Sequence, residues 1–140
     1  MSYQVSKEHV WVGAIPDHPD ALAEKLRLLS QAGLNLELIL ARRDIPGRAL
    51  LFVAPLCSVE EMLAAEEIGL AQEEDVRAVR VLGPDVPGIG ARIATALAAA
   101  ELNIRAYSAS VIGKRHITFL AFDSEADADR AVETLKAALK

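Results

Sequence analysis

Asp85, Gly88 and Asn103 are the residues of this chain whose types and spacing suit chemistry on a small molecule. They sit in the stretch "PDVPGIGARIATALAAAELNI", residues 84–104. Pro87 suits the first turn of a helix, where its missing N–H has no partner to lose. The free N–H groups at such a helix start attract an anion. Asp85, held in the loop ahead of them, can accept bonds from a cation. Gly88 has no Cβ and lets a ligand approach the backbone. Asn103 offers one acceptor and two donors in a single amide. A cation acceptor, anion-seeking amides and a carboxamide together suit a zwitterion such as an α-amino acid. The candidate ligand loop is thus Asp85, Val86, Pro87, Gly88 and Ile89, with Asn103 after the helix.

The same stretch occurs twice. Residues 16–36 read "PDHPDALAEKLRLLSQAGLNL", and 8 of the 21 positions match at an offset of 68. Asp17, His18 and Asn35 are the first-copy candidates. The offset continues without a gap from "RALLFVA" (48–54) to "HITFLAF" (116–122), which marks a tandem duplication. Each copy reads strand, helix, hairpin, helix. The expected strands are 10–15 and 76–82, and the expected first helices 19–32 and 87–100, with Leu22, Leu26 and Leu29, or Ile89, Ile93 and Leu97, at helical spacing. Hairpins are expected over 34–41 with 50–54 and 102–110 with 117–122, with glycine-containing turns. "SVEE" at 58–61 is a capping-box start, Gly69 a stop, and "SEAD" at 124–127 a weaker start. "QEEDVRAVRVLG" is expected to give the first copy its fourth strand and the second its opening strand, leaving the second with no fourth strand of its own. The fold class is α+β: two ferredoxin-like βαββαβ repeats, residues 1–72 and 73–140, with antiparallel sheets and helices packed on one face. In "RALLFVA", Ala49, Leu51 and Val53 oppose Leu50, Phe52 and Ala54, so both faces are apolar. The second sheet face is therefore expected to be covered, by the other repeat or another subunit.

Composition narrows the partners. The 140 residues are 52% hydrophobic with a formal net charge of −5, and no face is obviously basic, which argues against nucleic acid. Aromatics are only 4%, too few for a base-stacking platform. One cysteine, Cys57, excludes an internal disulfide and a C-x-x-C site. No apolar run reaches the ~18 residues of a membrane span and the first residues carry no signal-peptide core, so a cytoplasmic location is expected. His9, His18 and His116 show no metal-ligand spacing, and no catalytic constellation, metal site or cofactor motif stands out.

The D-x-P-G loop after a strand, the helix, and the L-N turn entering a strand resemble the ACT domain, and the tandem arrangement resembles small bacterial proteins of two ACT repeats. The resemblance covers about residues 9–139. It implies a regulatory, allosteric module, not an enzyme, that binds an amino acid at the seam between two ACT units, forms a homodimer, and passes its signal to a regulated enzyme or another regulator. In amino-acid-binding members, the loop residue two before the proline and the asparagine of the turn contact the ligand: here Asp85 and Asn103, and in the first repeat Asp17 and Asn35. The first repeat departs from the pattern. It has Asp20 where glycine is expected, which favours the helix start but repels a bound carboxylate. The second loop is therefore expected to be the competent one. Gly33 fits the family's turn better than Glu101 does.

Bland readings stand beside these. Asp85 and Asp17 serve equally as helix caps, and Asn35 and Asn103 as left-handed helix ends. A structural or interaction module with a vestigial pocket is the first rival; a small ferredoxin-like-barrel enzyme using His18 or His116 is the second.

Overall fold

A computed structural model of the chain describes residues 2–72 and 75–140. It comprises two units: residues 9–72, and Asp75–Lys140 together with the chain's first strand. That strand is β1 (Gln4–Glu8). The first unit follows with β2 (Trp11–Pro16), α1 (Ala21–Gln31), β3 (Leu38–Ile45), β4 (Arg48–Ala54), α2 (Val59–Glu67) and the two-residue β5 (Ala71–Gln72). The second contains β6 (Ala78–Pro84), α3 (Ile89–Ala99), β7 (Ala106–Ile112), β8 (Arg115–Ala121) and α4 (Glu125–Ala138). The sheets run β3-β4-β2-β5 and β1-β6-β8-β7, each wholly antiparallel. Both orders are the ferredoxin-like plan.

The fourth strands differ from expectation. In the first unit, β5 uses only the start of "QEEDVRAVRVLG": Gln72 pairs with Trp11, and Glu73 and Glu74 lie outside the described residues. In the second unit, β1 takes the place that a strand after α4 would fill. It pairs antiparallel with β6 from Gln4↔Leu82 to Glu8↔Ala78, so residues 4–8 complete the second repeat although the sequence reading gave residue 1 onward to the first. Three residues fix it there. Val5 is buried in the core of the unit. Lys7 Nζ reaches Glu125 and Asp129 on α4 at 2.6 and 2.8 Å. Tyr3 donates its hydroxyl hydrogen to the Pro84 carbonyl at 2.7 Å. A paired β6 is no longer an open edge.

The helices cover one face of each sheet. Trp11, Ile15, Leu29, Ala49, Leu51, Val53, Ala65 and Leu70 form the first core. Val79, Val81, Ile93, Leu97, Leu120, Phe122 and Leu135 are central to the second. On the opposite sheet faces Leu50, Phe52, Ile117 and Phe119 are half-buried. α2 starts at Ser58, whose hydroxyl accepts from the Glu61 amide at 3.1 Å; α4 starts at Ser124, which accepts from Asp127 at 3.1 Å. Both read as capping-box starts in the sequence.

One alignment needs correction. Pro16 pairs with Arg48 in one sheet and Pro84 with Arg115 in the other. The opening strands are thus offset by 68, but the hairpin return strands by 67. The alternating buried residues of β4 are Ala49, Leu51 and Val53, with Ala54 also buried at its end; those of β8 are His116, Thr118 and Leu120. The gapless match of Arg48 to His116 therefore set inward residues against outward ones. The cause is a bulge in β3 between Arg43 and Ile45. Asp44 is the extra residue; its carboxylate accepts from the Ile45 amide at 2.9 Å and from Arg48 Nη2 at 2.5 Å. One inserted residue reverses every later facing of a strand unless a bulge absorbs it.

Candidate functional site

The ligand loop of the second repeat hangs between β6 and α3. Its base is tied to the hairpin tip: the Asp85 amide donates to the Lys114 carbonyl at 2.8 Å. The first repeat repeats the tie, from the Asp17 amide to the Gly47 carbonyl at 3.1 Å. The backbone then diverges. Gly88 is the N-cap of α3 at φ 83°, ψ 5°, a left-handed conformation that glycine adopts without steric cost. Asp20, the N-cap of α1, lies at φ −96°, ψ −5°, an ordinary right-handed one. The Ile89 amide bonds the Val86 carbonyl at 3.2 Å and the Arg92 amide the Gly88 carbonyl at 2.9 Å. The Gly90 and Ala91 amides between them are the orphan donors of a helix start.

Neither aspartate caps its helix through its side chain. Asp85 is exposed, and its carboxylate makes no hydrogen bond or ion pair among the described residues. Asp17 is engaged: Arg43 on β3 donates its Nε–H to Asp17 Oδ2 at 2.5 Å. His18 Nδ1 lies 2.6 Å from Asp20 Oδ1, and that contact holds the Asp20 carboxyl below its usual range. So the first repeat's loop carries two carboxylates matched by two internal cations or donors, and the second a single unmatched one.

The asparagines are not left-handed helix ends. Gly33 (φ 88°) and Glu101 (φ 58°) hold that conformation, two residues earlier in each turn. The Leu34 amide returns to the Leu29 carbonyl at 3.3 Å, and Leu102 to Leu97 at 3.0 Å. This is the Schellman stop, in which the residue after the left-handed one packs back on the helix. It explains why the turn repeats leucine before asparagine: Leu102 is buried and Leu34 packs against its core. Asn35 and Asn103 come next, exposed, with no hydrogen bond among the described residues.

Within one unit the loop and the asparagine stand at opposite ends of an 11-residue helix, about 16 Å long at 1.5 Å per residue. Asp85, Val86, Pro87, Gly88 and Ile89 form one loop, and Asp17 and His18 another; neither shares a helix end with an asparagine of its own unit. Beside Asn35 a depression of about 170 Å³ is lined by Leu26, Leu29, Ser30, Leu34, Leu36 and Ile39. The Tyr107 hydroxyl on β7 lies 3.4 Å from the Gly90 carbonyl in the first turn of α3. The pairing of Arg43 with Asp17 was not legible in the sequence, where Arg42 and Arg43 at a hairpin tip read as a solvated turn or as a grip for an acidic partner or ligand. Its one available signal was the β3 register. His116 is buried on the core side of β8, its Nε2 against the Thr118 hydroxyl, out of reach of a substrate. Among the described residues no cluster of three or more His, Cys, Asp or Glu is arranged to hold a metal. No helix among them is long and apolar enough to cross a membrane.

The class these units define is one of fold: two ferredoxin-like units in tandem, each a four-stranded antiparallel sheet with its helices. No protein-family model matches the sequence, and no curated protein matches it. Solved structures do. The ligand-free regulatory subunit of aspartate kinase from Thermus thermophilus matches with a TM-score of 0.70 at 19% identity, covering 100% of this chain and 98% of that one. A protein of Bacteroides thetaiotaomicron gives 0.77 at 14% identity, covering 95% and 89%. E. coli aspartokinase III in complex with lysine and aspartate gives 0.55 at 14%, covering 99% of this chain and 33% of that one. At these identities the likeness is one of fold.

Proposed function

We propose that this protein is a regulatory module that binds a free amino acid through the loop of its second repeat, and that it is not an enzyme. The observation that carries this is Asp85: an exposed, unmatched carboxylate next to a left-handed Gly88 and the unsatisfied amides of α3. The carboxylate suits an ammonium group and the amides a carboxylate. Because α3 separates Asp85 from Asn103, a second ACT-type unit must supply the amide. We place the ligand at such a seam, in a homodimer, where binding stabilises one arrangement of units and the change is read by an enzyme or another regulator. Regulatory subunits among the similar folds support this reading, and the lysine and aspartate bound by E. coli aspartokinase III make those two the first ligands to try.

A thermal-shift panel of the twenty protein amino acids tests it. A ligand at a hundredfold excess over its Kd stabilises by about 2.7 kcal/mol. Loss of that stabilisation in both Asp85→Ala and Asn103→Ala supports the site. A shift indifferent to both places the ligand elsewhere, and no shift with any amino acid favours an interaction module.

A further inference from the structure

We propose that the loop of the first repeat is held shut by its own cation: the Arg43 guanidinium occupies Asp17 as a ligand's ammonium group would, which leaves uptake to the Asp85 loop. This rests on the reading of that loop as the ligand site and names what distinguishes it. The registers make the comparison residue by residue. Arg43 faces Ala49, and Ala49 faces Ile15, two residues before Asp17. Val111 faces His116, and His116 faces Gly83, two residues before Asp85. Arg43 and Val111 therefore occupy the same position beside the two loops. Arg43 Nε reaches Asp17 Oδ2 at 2.5 Å, while a valine at 111 has no donor to offer Asp85. A tethered guanidinium acts at high effective concentration, so a free amine must displace it before it can reach Asp17. The pair is solvent-exposed, so it blocks the loop by competition and does not lock it.

Carboxylate labelling tests this without any ligand. The intact protein is treated with a water-soluble carbodiimide and glycinamide, and modification at each aspartate is followed by peptide mass spectrometry. Asp85 is expected to label several-fold faster than Asp17. Arg43→Val should bring Asp17 close to the Asp85 rate, and Val111→Arg, at a half-exposed position, should slow Asp85. Equal labelling in the unmodified protein, or an Asp17 rate indifferent to Arg43→Val, overturns the proposal. With whichever amino acid stabilises the protein, Val111→Arg should cut the thermal shift several-fold; an undiminished shift counts against it. Should no amino acid bind, the ligand reading fails on its own, while the labelling still decides the role of Arg43.

Discussion

The ring of Tyr3 packs against Gly83: a Cβ built on that glycine would come within 2.3 Å of Tyr3 Cδ1. The strand that completes the second unit is thus keyed by an aromatic ring to the residue two before Asp85. Gly83→Ala should destabilise the protein by about 1–3 kcal/mol, the usual cost of overpacking. In urea, Tyr3→Ala should itself be destabilising, and the two changes together should cost less than their sum, since the first removes the clash of the second.

Glu101 carries the left-handed turn that Gly33 carries in the other repeat. A side chain there costs about 1 kcal/mol, so Glu101→Gly should raise stability by about that amount in guanidinium unfolding. Gly88→Ala should lower it by a similar amount. A Cβ at Gly88 meets no neighbour within 4 Å, so the whole cost would come from its φ of 83°.

Lys7 should make β1 sensitive to alkali. Its hydrogen bonds to Asp129 and then Glu125 raise its pKa above the ordinary lysine value. A raised lysine stabilises fully below the ordinary pKa, and that contribution is lost as pH climbs through the raised one. Hydrogen exchange of the β1 and β6 amides, corrected for intrinsic rates, should accelerate in that window. Lys7→Met should remove the acceleration.

The bulge has the opposite dependence. Arg48, bonded to Asp44, depresses the Asp44 pKa. Its contribution is complete above the ordinary carboxylate pKa, about 3.9, and fades as pH falls through the depressed value. Carboxyl NMR should show Asp44 titrating low in the unmodified protein and moving back up in Arg48→Met.

The two loops should also separate by mutation. Asp17→Ala should leave ligand stabilisation intact, because that carboxylate already serves Arg43. Asp85→Ala should abolish it; a panel run on both variants reads the difference.

Local rules carried much of the way. The repeat order, the helix starts at Ser58 and Ser124 and the place of the L-N turns were legible, because such signals are written in neighbouring residues; the left-handed residue was not, since it falls on Gly33 and Glu101 and not on the asparagines. The β4 and β8 facings were not, because similarity along the chain cannot register a bulge; only Asp44's bonds to Ile45 and Arg48 locate it. β1 stayed hidden because its partner β6 is remote in sequence. At the candidate site the residue types in each loop were readable. Their electrostatic state was not: whether an aspartate is vacant or matched depends on which hairpin residue the register places beside it.

The borrowed first strand has a consequence for synthesis. Residues 4–8 leave the ribosome well before their partner, since β6 is made about 70 residues later. The intervening βαββαβ unit is fully synthesised by then, so its own strands are available to pair before β1 has a mate.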